Sequence, residues 1–355
     1  MRTIVVLIVL SVFCLPMFAA DGPPAWAYNT DPNAPIAPPP EAPPAPQNPA
    51  AAAAAAKRLA DPTLLSAAGS SLKLTRAQIT PVADWFPGDH PPMPEIVAKG
   101  RQQATINGQP AQAILACAVC HLANGKGRPE NAGVAGLPVY YFIQQMADFK
   151  AGNHLSADPR KANSNRMAGF AMAMTDDEVK AAAEYFAAIK WSPWIRVVET
   201  DMVPKVKANG GLFAVLPGGE KEPIGQRIIE VPEDEEQANG LRNSHSGFIA
   251  YVPVGSVAKG MTLVTMGGGG KTLQCGICHG ADLQGIGPVP PIAGRSASYI
   301  ARELYDFQQG SRKGQMSPMM KPAVEKLNDE DILEISAYVA SRPVEEQNTK
   351  TAAKH

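Results

Sequence analysis

Cysteine is scarce in this chain, and nearly all of it falls in one pattern. The 355 residues contain five cysteines. Cys14 lies in the N-terminal stretch, and the other four belong to two pentapeptides, CAVCH (117–121) and CGICH (275–279). Once the N-terminal stretch is removed, no cysteine outside the pentapeptides is left, so a structural disulfide is not expected.

The chain also lacks an excess of charge of either sign. It has 32 Lys and Arg against 33 Asp and Glu, which gives a formal net charge of −1 at pH 7. Proteins that bind nucleic acid usually carry a basic surplus. Nucleic acid is therefore not an expected partner.

The apolar N-terminal stretch MRTIVVLIVLSVFCLPMFAA is short for a membrane span and contains Pro16. A basic residue, an apolar run and then small residues are typical of a secretory signal peptide. Residues 1–20 are therefore predicted to be a signal peptide, with cleavage after Ala20 or, at the AWA site, as late as Ala27. The alternative is an uncleaved N-terminus that associates with a membrane. The predicted location is exported and periplasmic.

Three chemistries use cysteines two residues apart. Thioredoxin-like redox chemistry needs a strand before the pair, and no βαβ pattern precedes either copy. A shared structural zinc is disfavoured because 158 residues separate the two pairs, whereas the pairs of a zinc ribbon lie much closer together. Covalent attachment of a c-type haem has C-x-x-C-H as its signature.

Haem attachment also explains the histidine in each pentapeptide. On one helical turn, residues i and i+3 share a face, so two thiols can reach one porphyrin, and the adjacent histidine can bind the iron. The predicted attachment residues are Cys117, Cys120, Cys275 and Cys278, and the predicted proximal iron ligands are His121 and His279. The predicted cofactors are two covalently attached haems.

The repeat extends well beyond the pentapeptides. At an offset of 158, AGLPVYYFIQQMADFKAG (135–152) aligns with AGRSASYIARELYDFQQG (293–310) without a gap. Further on, residues 174–190 align with 327–343 at an offset of 153, so the first copy has five extra residues in between. This pattern indicates tandem duplication of a unit of domain size.

Each unit is predicted to be mainly helical with long loops. In TDDEVKAAAEYFAAIK, Thr175 is a plausible N-cap with Glu178 three places later, which is a capping box. Asn328 is the matching cap of NDEDILEISAYVA. Apolar residues recur at helical spacing in both segments. His90, His154 and His245 are expected to have surface or hydrogen-bonded structural roles.

These residues resemble the class I cytochromes c, specifically the tandem dihaem periplasmic type often called c-four. The resemblance covers roughly residues 93–190 and 251–343. It rests on the haem motif, the tyrosine-bearing helix after it, a following methionine and an aromatic-bearing last helix. It implies a mainly α fold of two tandem domains and a role in electron transport.

The resemblance also implies contacts around each haem. Gly100 should pack against Tyr185, and Gly260 against Tyr338. The carbonyl of Pro290 should orient the ring of His279. The equivalent residue of the first unit is Ala132, whose carbonyl is available for the same bond but which lacks the φ restraint of proline.

A methionine a few residues before the last helix is the sixth iron ligand in that family. Counting back seven residues from Met174 gives Met167, and the same count from Leu327 gives Met320. Met167 and Met320 are therefore the predicted distal ligands. The competing residues close by are Met172, Met174, Met316 and Met319.

Several segments lie outside the two units. The predicted organisation is a signal peptide at 1–20, a Pro/Ala-rich tether and arm at 28–80, domain 1 at 81–190, an insert at 191–250, domain 2 at 251–343 and a polar tail at 344–355. Residues 28–56 are expected to be an extended tether. The insert is acidic, with six Lys and Arg against nine Asp and Glu, and contains short β-like pieces such as RIIEVP.

The predicted function is single-electron transfer, because two axial ligands leave no open position on either iron. The protein is thus predicted to be a carrier and not an enzyme. Its expected partners are redox proteins such as a periplasmic dehydrogenase or a terminal oxidase. The alternatives are a dihaem peroxidase, which needs an iron that can lose its sixth ligand, and a cytochrome subunit of a dehydrogenase or oxidase complex.

Overall fold

The computed structural model describes residues 22–37, 49–106 and 109–344. The α-helices in these ranges are α1 (Ala25–Tyr28), α2 (Pro49–Leu59), α3 (Arg76–Ile79), α4 (Glu95–Ala98), α5 (Cys117–His121), α6 (Val139–Lys150), α7 (Ala162–Ala173), α8 (Asp176–Ala187), α9 (Ser256–Met266), α10 (Gly276–His279), α11 (Ala297–Gln308), α12 (Lys321–Val324) and α13 (Asp329–Ala340). Short 3-10 turns occur at Pro87–Asp89, Gly267–Gly269 and Ser317–Met319, and a π-helical turn at Glu236–Gly240. None of the helices in this part of the chain is long and apolar enough to cross a membrane.

The strands are short, and most of them lie in the insert. They are β1 (Ala104–Ile106), β2 (Gln109–Ala111), β3 (Ile195–Glu199), β4 (Met202–Pro204), β5 (Val206–Asn209), β6 (Leu212–Val215), β7 (Lys221–Pro223), β8 (Ile229–Pro232) and β9 (Phe248–Val252). β9 is the centre of a three-stranded sheet, with β3 parallel and β8 antiparallel to it. The predicted mainly α fold with a short-β insert is confirmed.

The duplicated helices match residue for residue. α6 and α11 begin and end at the same offset of 158, and α8 and α13 begin and end at the same offset of 153. The five extra residues therefore lie between these pairs. There the first unit has the twelve-residue α7, whereas the second has only the turn Ser317–Met319 and the four-residue α12.

Both last helices start at the predicted caps. The Thr175 side chain accepts from the backbone N–H of Glu178, and the Glu178 carboxylate accepts from the backbone N–H of Thr175. Asn328 and Asp331 form the same reciprocal pair at the start of α13. Each pair satisfies two backbone N–H groups that the helix itself cannot satisfy.

The two predicted glycine contacts have different outcomes. A Cβ atom added to Gly260 of α9 would lie 1.9 Å from the carbonyl oxygen of Glu334 and 2.8 Å from Cβ of Tyr338, so this close approach is confirmed. The Gly100–Tyr185 contact stays a prediction. Gly100 lies outside α4 with φ +70°, and the three atoms nearest to an added Cβ are backbone atoms of residues 114–116.

Gly260→Ala is expected to lower the free energy of unfolding by about 1–3 kcal/mol, because the added methyl group overlaps backbone of α13 that cannot easily move. Gly88→Ala is the control, since its Cβ would have no atom within 4 Å. Chemical denaturation of both variants measures the difference. Equal stability of the two variants would contradict the close packing of α9 on α13.

The insert is built into the second unit. Phe248 of β9 shares one buried cluster with Ile332 and other residues of α13. Glu230 of β8 is fully buried, and its carboxylate accepts from the Ser296 hydroxyl at 2.7 Å and from the Ser298 backbone N–H at 3.1 Å. The insert sheet therefore closes the core of the second unit at the start of α11.

The expected extended tether at 28–56 is wrong at Tyr28 and in the alanine run 49–56. Tyr28 is fully buried, and its hydroxyl donates to Asp306 at 2.8 Å. Residues 49–56 lie in α2, because alanine has the highest helix propensity. The proline-rich residues 38–48, the predicted signal peptide and the predicted tail beyond Val344 lie outside the described residues.

Candidate haem sites

The four thiols are half-buried and form no disulfide. Burial raises the pKa of Cys117 to about 12 and that of Cys275 to about 11. Redox-active C-x-x-C pairs need a lowered thiol pKa, so the thioredoxin-like alternative is not supported. Among the described residues, no group of three or more His, Cys, Asp or Glu side chains could hold a metal ion. The two pairs therefore do not form a shared zinc site.

Each motif histidine is oriented by one carbonyl. Nδ1 of His121 donates to the Ala132 carbonyl at 2.9 Å, and Nδ1 of His279 donates to the Pro290 carbonyl at 2.8 Å. The expected Pro290 bond is confirmed, and Ala132 makes the same bond without the proline ring. Burial lowers the pKa of both imidazoles. Each ring is thus neutral with its Nε2 lone pair free, which is the form that binds a metal.

Each histidine lines a cleft. The first cleft is lined by His121 and Met167. The second is lined by Cys275, Cys278 and His279. A cleft that presents a neutral imidazole and, at the second motif, both thiols has the donor set that a covalently attached haem requires. The residues present therefore fit the cofactor.

Only one of the candidate methionines lines the cleft in the first unit, whereas all three do in the second. Met167 lies on α7 and faces the first cleft, whereas neither Met172 nor Met174 lines it. In the second unit, three methionines line the cleft: Met316, Met319 and Met320. Of these three, Met320 packs against the buried core, while the other two are exposed. Met146 also lines the first cleft and was not among the candidates.

The two clefts share a wall that the sequence did not single out. Residues lining both clefts are Leu137, Tyr141, Gln145, Tyr299 and Glu303. Arg312 crosses this wall: it donates to the Tyr141 hydroxyl at 2.6 Å and to Gln145 Oε1 at 2.7 Å, and it pairs with Glu303. The alignment of Tyr141 with Tyr299 was the only sequence signal for the wall. The two clefts therefore adjoin each other across this wall.

His154 is part of this buried interface. Its ring stacks on Phe149 with a centroid distance of 4.0 Å, and its Nε2 lies 3.8 Å from Glu303. Burial and the nearby Arg312 lower its pKa. The side chain lines the first cleft, so its role is structural and lies beside the site.

The paired motifs, the carbonyl-oriented histidines and the adjoining clefts define a protein that holds two c-type haems side by side. Residues 98–190 and 257–343 each match the family model for cytochrome c. The chain belongs to the cytochrome c family. It is a dihaem electron carrier with two covalently attached c-type haems, one at each motif.

Known relatives span both units. The chain is 25% identical over 245 residues to the thiosulfate dehydrogenase electron acceptor of Stutzerimonas stutzeri, covering 68% of this chain and 85% of that protein. It is 26% identical over 236 residues to cytochrome c4 of Pseudomonas aeruginosa, covering 65% and 85%. A solved structure of Acidithiobacillus ferrooxidans cytochrome c4 aligns with a TM-score of 0.41 at 21% identity, covering 63% of this chain and 97% of that one.

Proposed function

We propose that this cytochrome is exported, accepts single electrons from a dehydrogenase, and passes them to another redox protein such as a terminal oxidase, without catalysing a reaction of its own. The observation that carries the proposal is that each cleft presents a neutral, carbonyl-oriented histidine together with a methionine. A haem iron with histidine and methionine ligands has no open coordination position, and the thioether raises its reduction potential.

The proposed ligands divide by domain. In domain 1, at 81–190, Cys117 and Cys120 attach the haem, and His121 and Met167 bind its iron. In domain 2, at 251–343, the equivalent residues are Cys275, Cys278, His279 and Met320. Met320 is preferred to its two neighbours because it alone of the three packs against the core, whereas Met316 and Met319 are exposed.

The proposed electron donor is a periplasmic dehydrogenase, with thiosulfate dehydrogenase as the candidate. The support is the relative from Stutzerimonas stutzeri, which is named as the electron acceptor of that enzyme and aligns with 68% of this chain.

Export rests on the signal-peptide pattern at residues 1–20. Within the described residues, Ala27 is fully buried and Trp26 makes an edge contact with Tyr305 at 6.5 Å. Cleavage after Ala27 would remove these contacts, so cleavage after Ala20 is the proposed site.

Covalent attachment is tested by mass and extraction. The mature protein should retain two haems after denaturation and acid-solvent extraction, because thioether bonds survive both treatments. Replacing Cys275 and Cys278 by serine should leave one haem, and so should replacing Cys117 and Cys120. Intact mass and the haem absorbance of the denatured protein report the number. Haem that extracts from the unaltered protein would contradict attachment.

Carrier function is tested with the candidate donor. Thiosulfate with thiosulfate dehydrogenase should reduce both haems of the oxidised protein, as followed by absorbance. Addition of hydrogen peroxide to the reduced protein should give no catalytic turnover. Peroxide turnover that survives repeated additions would favour a dihaem peroxidase over the carrier.

A further inference from the structure

Arg295 is a buried cation whose hydrogen-bond partners belong to both units. It lies shortly before α11 and is 3% exposed. Its Nε donates to the carbonyl of Pro291 at 2.8 Å, within the second unit. Its Nη1 donates to the carbonyl of Gly133, and its Nη2 donates to the carbonyl of Ala135 at 3.1 Å, both in the first unit. One guanidinium therefore joins a loop of each unit.

The residues that accept from this guanidinium stand next to those that orient the motif histidines. Pro291 directly follows Pro290, and Gly133 directly follows Ala132. The carbonyls of Pro290 and Ala132 accept from the Nδ1–H groups of the two histidines, at 2.8 and 2.9 Å. Adjacent peptide planes share one Cα atom and rotate only about two dihedral angles. A guanidinium that holds one carbonyl of such a loop therefore restricts the next carbonyl as well.

This contact does not follow from the duplication. At the offset of 158, Arg295 corresponds to Leu137, whose side chain has no hydrogen-bond donor. Only the second unit therefore reaches across to the loop of the other unit. The segments that it joins, residues 132–135 and 290–291, are here called the histidine loops.

An aromatic ring holds the guanidinium in place. Its central carbon lies 4.3 Å from the centroid of the Trp191 ring, and a Cβ atom added to Gly133 would lie 2.7 Å from an atom of the same ring. Burial lowers the pKa of Arg295 to about 10, so the side chain is still charged at pH 7. Within the part of the chain that the structure describes, its three acceptors are backbone carbonyls and not carboxylates. A planar fork of donors stacked on an aromatic ring is a role that lysine cannot fill.

We propose that Arg295 is a positioning residue for both haem sites: its guanidinium fixes the two histidine loops and, through them, the rings of His121 and His279. The proposal rests on the proposed binding of iron by these histidines and adds what holds them in place. A histidine whose Nδ1–H is held by a carbonyl is a more basic ligand, and a more basic ligand stabilises oxidised iron. Loosening of both loops should therefore raise both reduction potentials.

Arg295→Lys tests this role because it keeps the charge but loses the planar fork. Voltammetry should show that the reduction equilibrium constant of each haem rises about threefold, which is about 28 mV for one electron. The direction is informative, since a mere loss of positive charge near an iron would lower its potential. Arg196→Lys is the matched control: Arg196 pairs with Glu233 at the surface and lines neither cleft. It should leave both potentials unchanged.

Hydrogen exchange followed by mass spectrometry reports on the loops themselves. The amides of Val134 and Ala135 donate to the Gly125 carbonyl in the first unit, and the amide of Ile292 donates to the Leu283 carbonyl in the second. In Arg295→Lys, exchange at both places should become about tenfold faster, as expected when a local opening is opposed by one or two fewer hydrogen bonds. Exchange in α13 is the internal reference and should stay within about twofold.

Two results would overturn the proposal. If exchange accelerates only in the second histidine loop and only one potential moves, Arg295 acts within its own unit. If α13 exchanges as much faster as the two loops do, the substitution loosens the whole fold and Arg295 has no particular role at the histidines.

The unaltered protein separates this proposal from the carrier function. Its oxidised form should show hyperfine-shifted proton resonances of two iron-bound histidines, and voltammetry should show two reversible one-electron waves. If both are seen but Arg295→Lys changes neither the loops nor the potentials, the positioning role is wrong and the carrier stands. If the unaltered protein shows no reversible waves, the carrier function itself fails.

Discussion

Met320→Ala is expected to remove half of the weak far-red charge-transfer band that the oxidised protein shows when methionine sulfur binds haem iron. One of the two reduction potentials should fall by on the order of 0.1–0.3 V, a fraction of the roughly 0.8 V range that axial ligands set. The same iron should then bind cyanide. The physical reason is loss of a soft ligand that favours reduced iron.

The matching experiment in the first domain is Met167→Ala, which should remove the other half of the band. Because the two methionines belong to different units, the two losses should add in the double variant. Met172→Ala is the control in the first unit, since that side chain does not line the cleft. It should leave the band whole.

The second unit offers an internal competition. Met316 and Met319 line the same cleft as Met320, so either could replace the lost ligand in part. If Met320→Ala leaves the band whole while Met319→Ala or Met316→Ala halves it, the count of seven residues assigns the wrong ligand. Absence of the band from the unaltered protein would instead favour the peroxidase alternative.

Local features of this chain could be predicted from its sequence. The capping boxes at Thr175 and Asn328 depend on four consecutive residues, and both are present as expected. The contact between Pro290 and His279 spans eleven residues within one loop and is also confirmed. The physical reason is that residues close together in sequence are also close together in space, so a local pattern specifies which groups form hydrogen bonds.

Contacts between distant segments could not be predicted. Tyr28 reaches Asp306 across 278 residues, and Trp85 reaches the Leu241 carbonyl across 156. Neither pair has a sequence signature, because a buried hydroxyl or indole needs a partner but does not specify which one. The shared wall between the clefts also depends on such contacts.

The choice of methionine ligand depends on both the sequence repeat and the structure. Counting residues in the repeat predicts Met167 and Met320 as the sixth ligands. Other methionines lie at similar spacing, so the sequence alone does not distinguish them. In the first unit the helix α7 turns Met172 away from the cleft. In the second unit, a short turn leaves all three methionines at the cleft. Only their difference in burial then favours Met320 as the ligand.

Arg312→Met is expected to lower the free energy of unfolding at pH 7 by about 3–5 kcal/mol, because it leaves the carboxylate of Glu303 buried without its partner. The variant also loses the bonds to Tyr141 and Gln145 that join the two units. Lys205→Met is the control: its pair with Glu220 is exposed, so its loss should cost less than about 1 kcal/mol. Denaturant unfolding followed by circular dichroism measures both.

The ion pair between Arg312 and Glu303 should make the free energy of unfolding depend on pH. Burial raises the pKa of Glu303, but Arg312, His154 and Arg302 outweigh burial and lower that pKa to about 2 from 4.5. A carboxylate with a lowered pKa stabilises the fold above its unfolded pKa, and this stabilisation, about 3 kcal/mol, is lost as the pH falls from about 4.5 to about 2. Arg312→Met should make the free energy of unfolding depend less on pH in this range.

Replacing Glu303 by Gln as well should recover much of the stability at pH 7, since no unpaired charge then remains. If Arg312→Met is as stable as the unaltered protein and loses stability over the same acidic pH range, the wall between the clefts is held by packing alone.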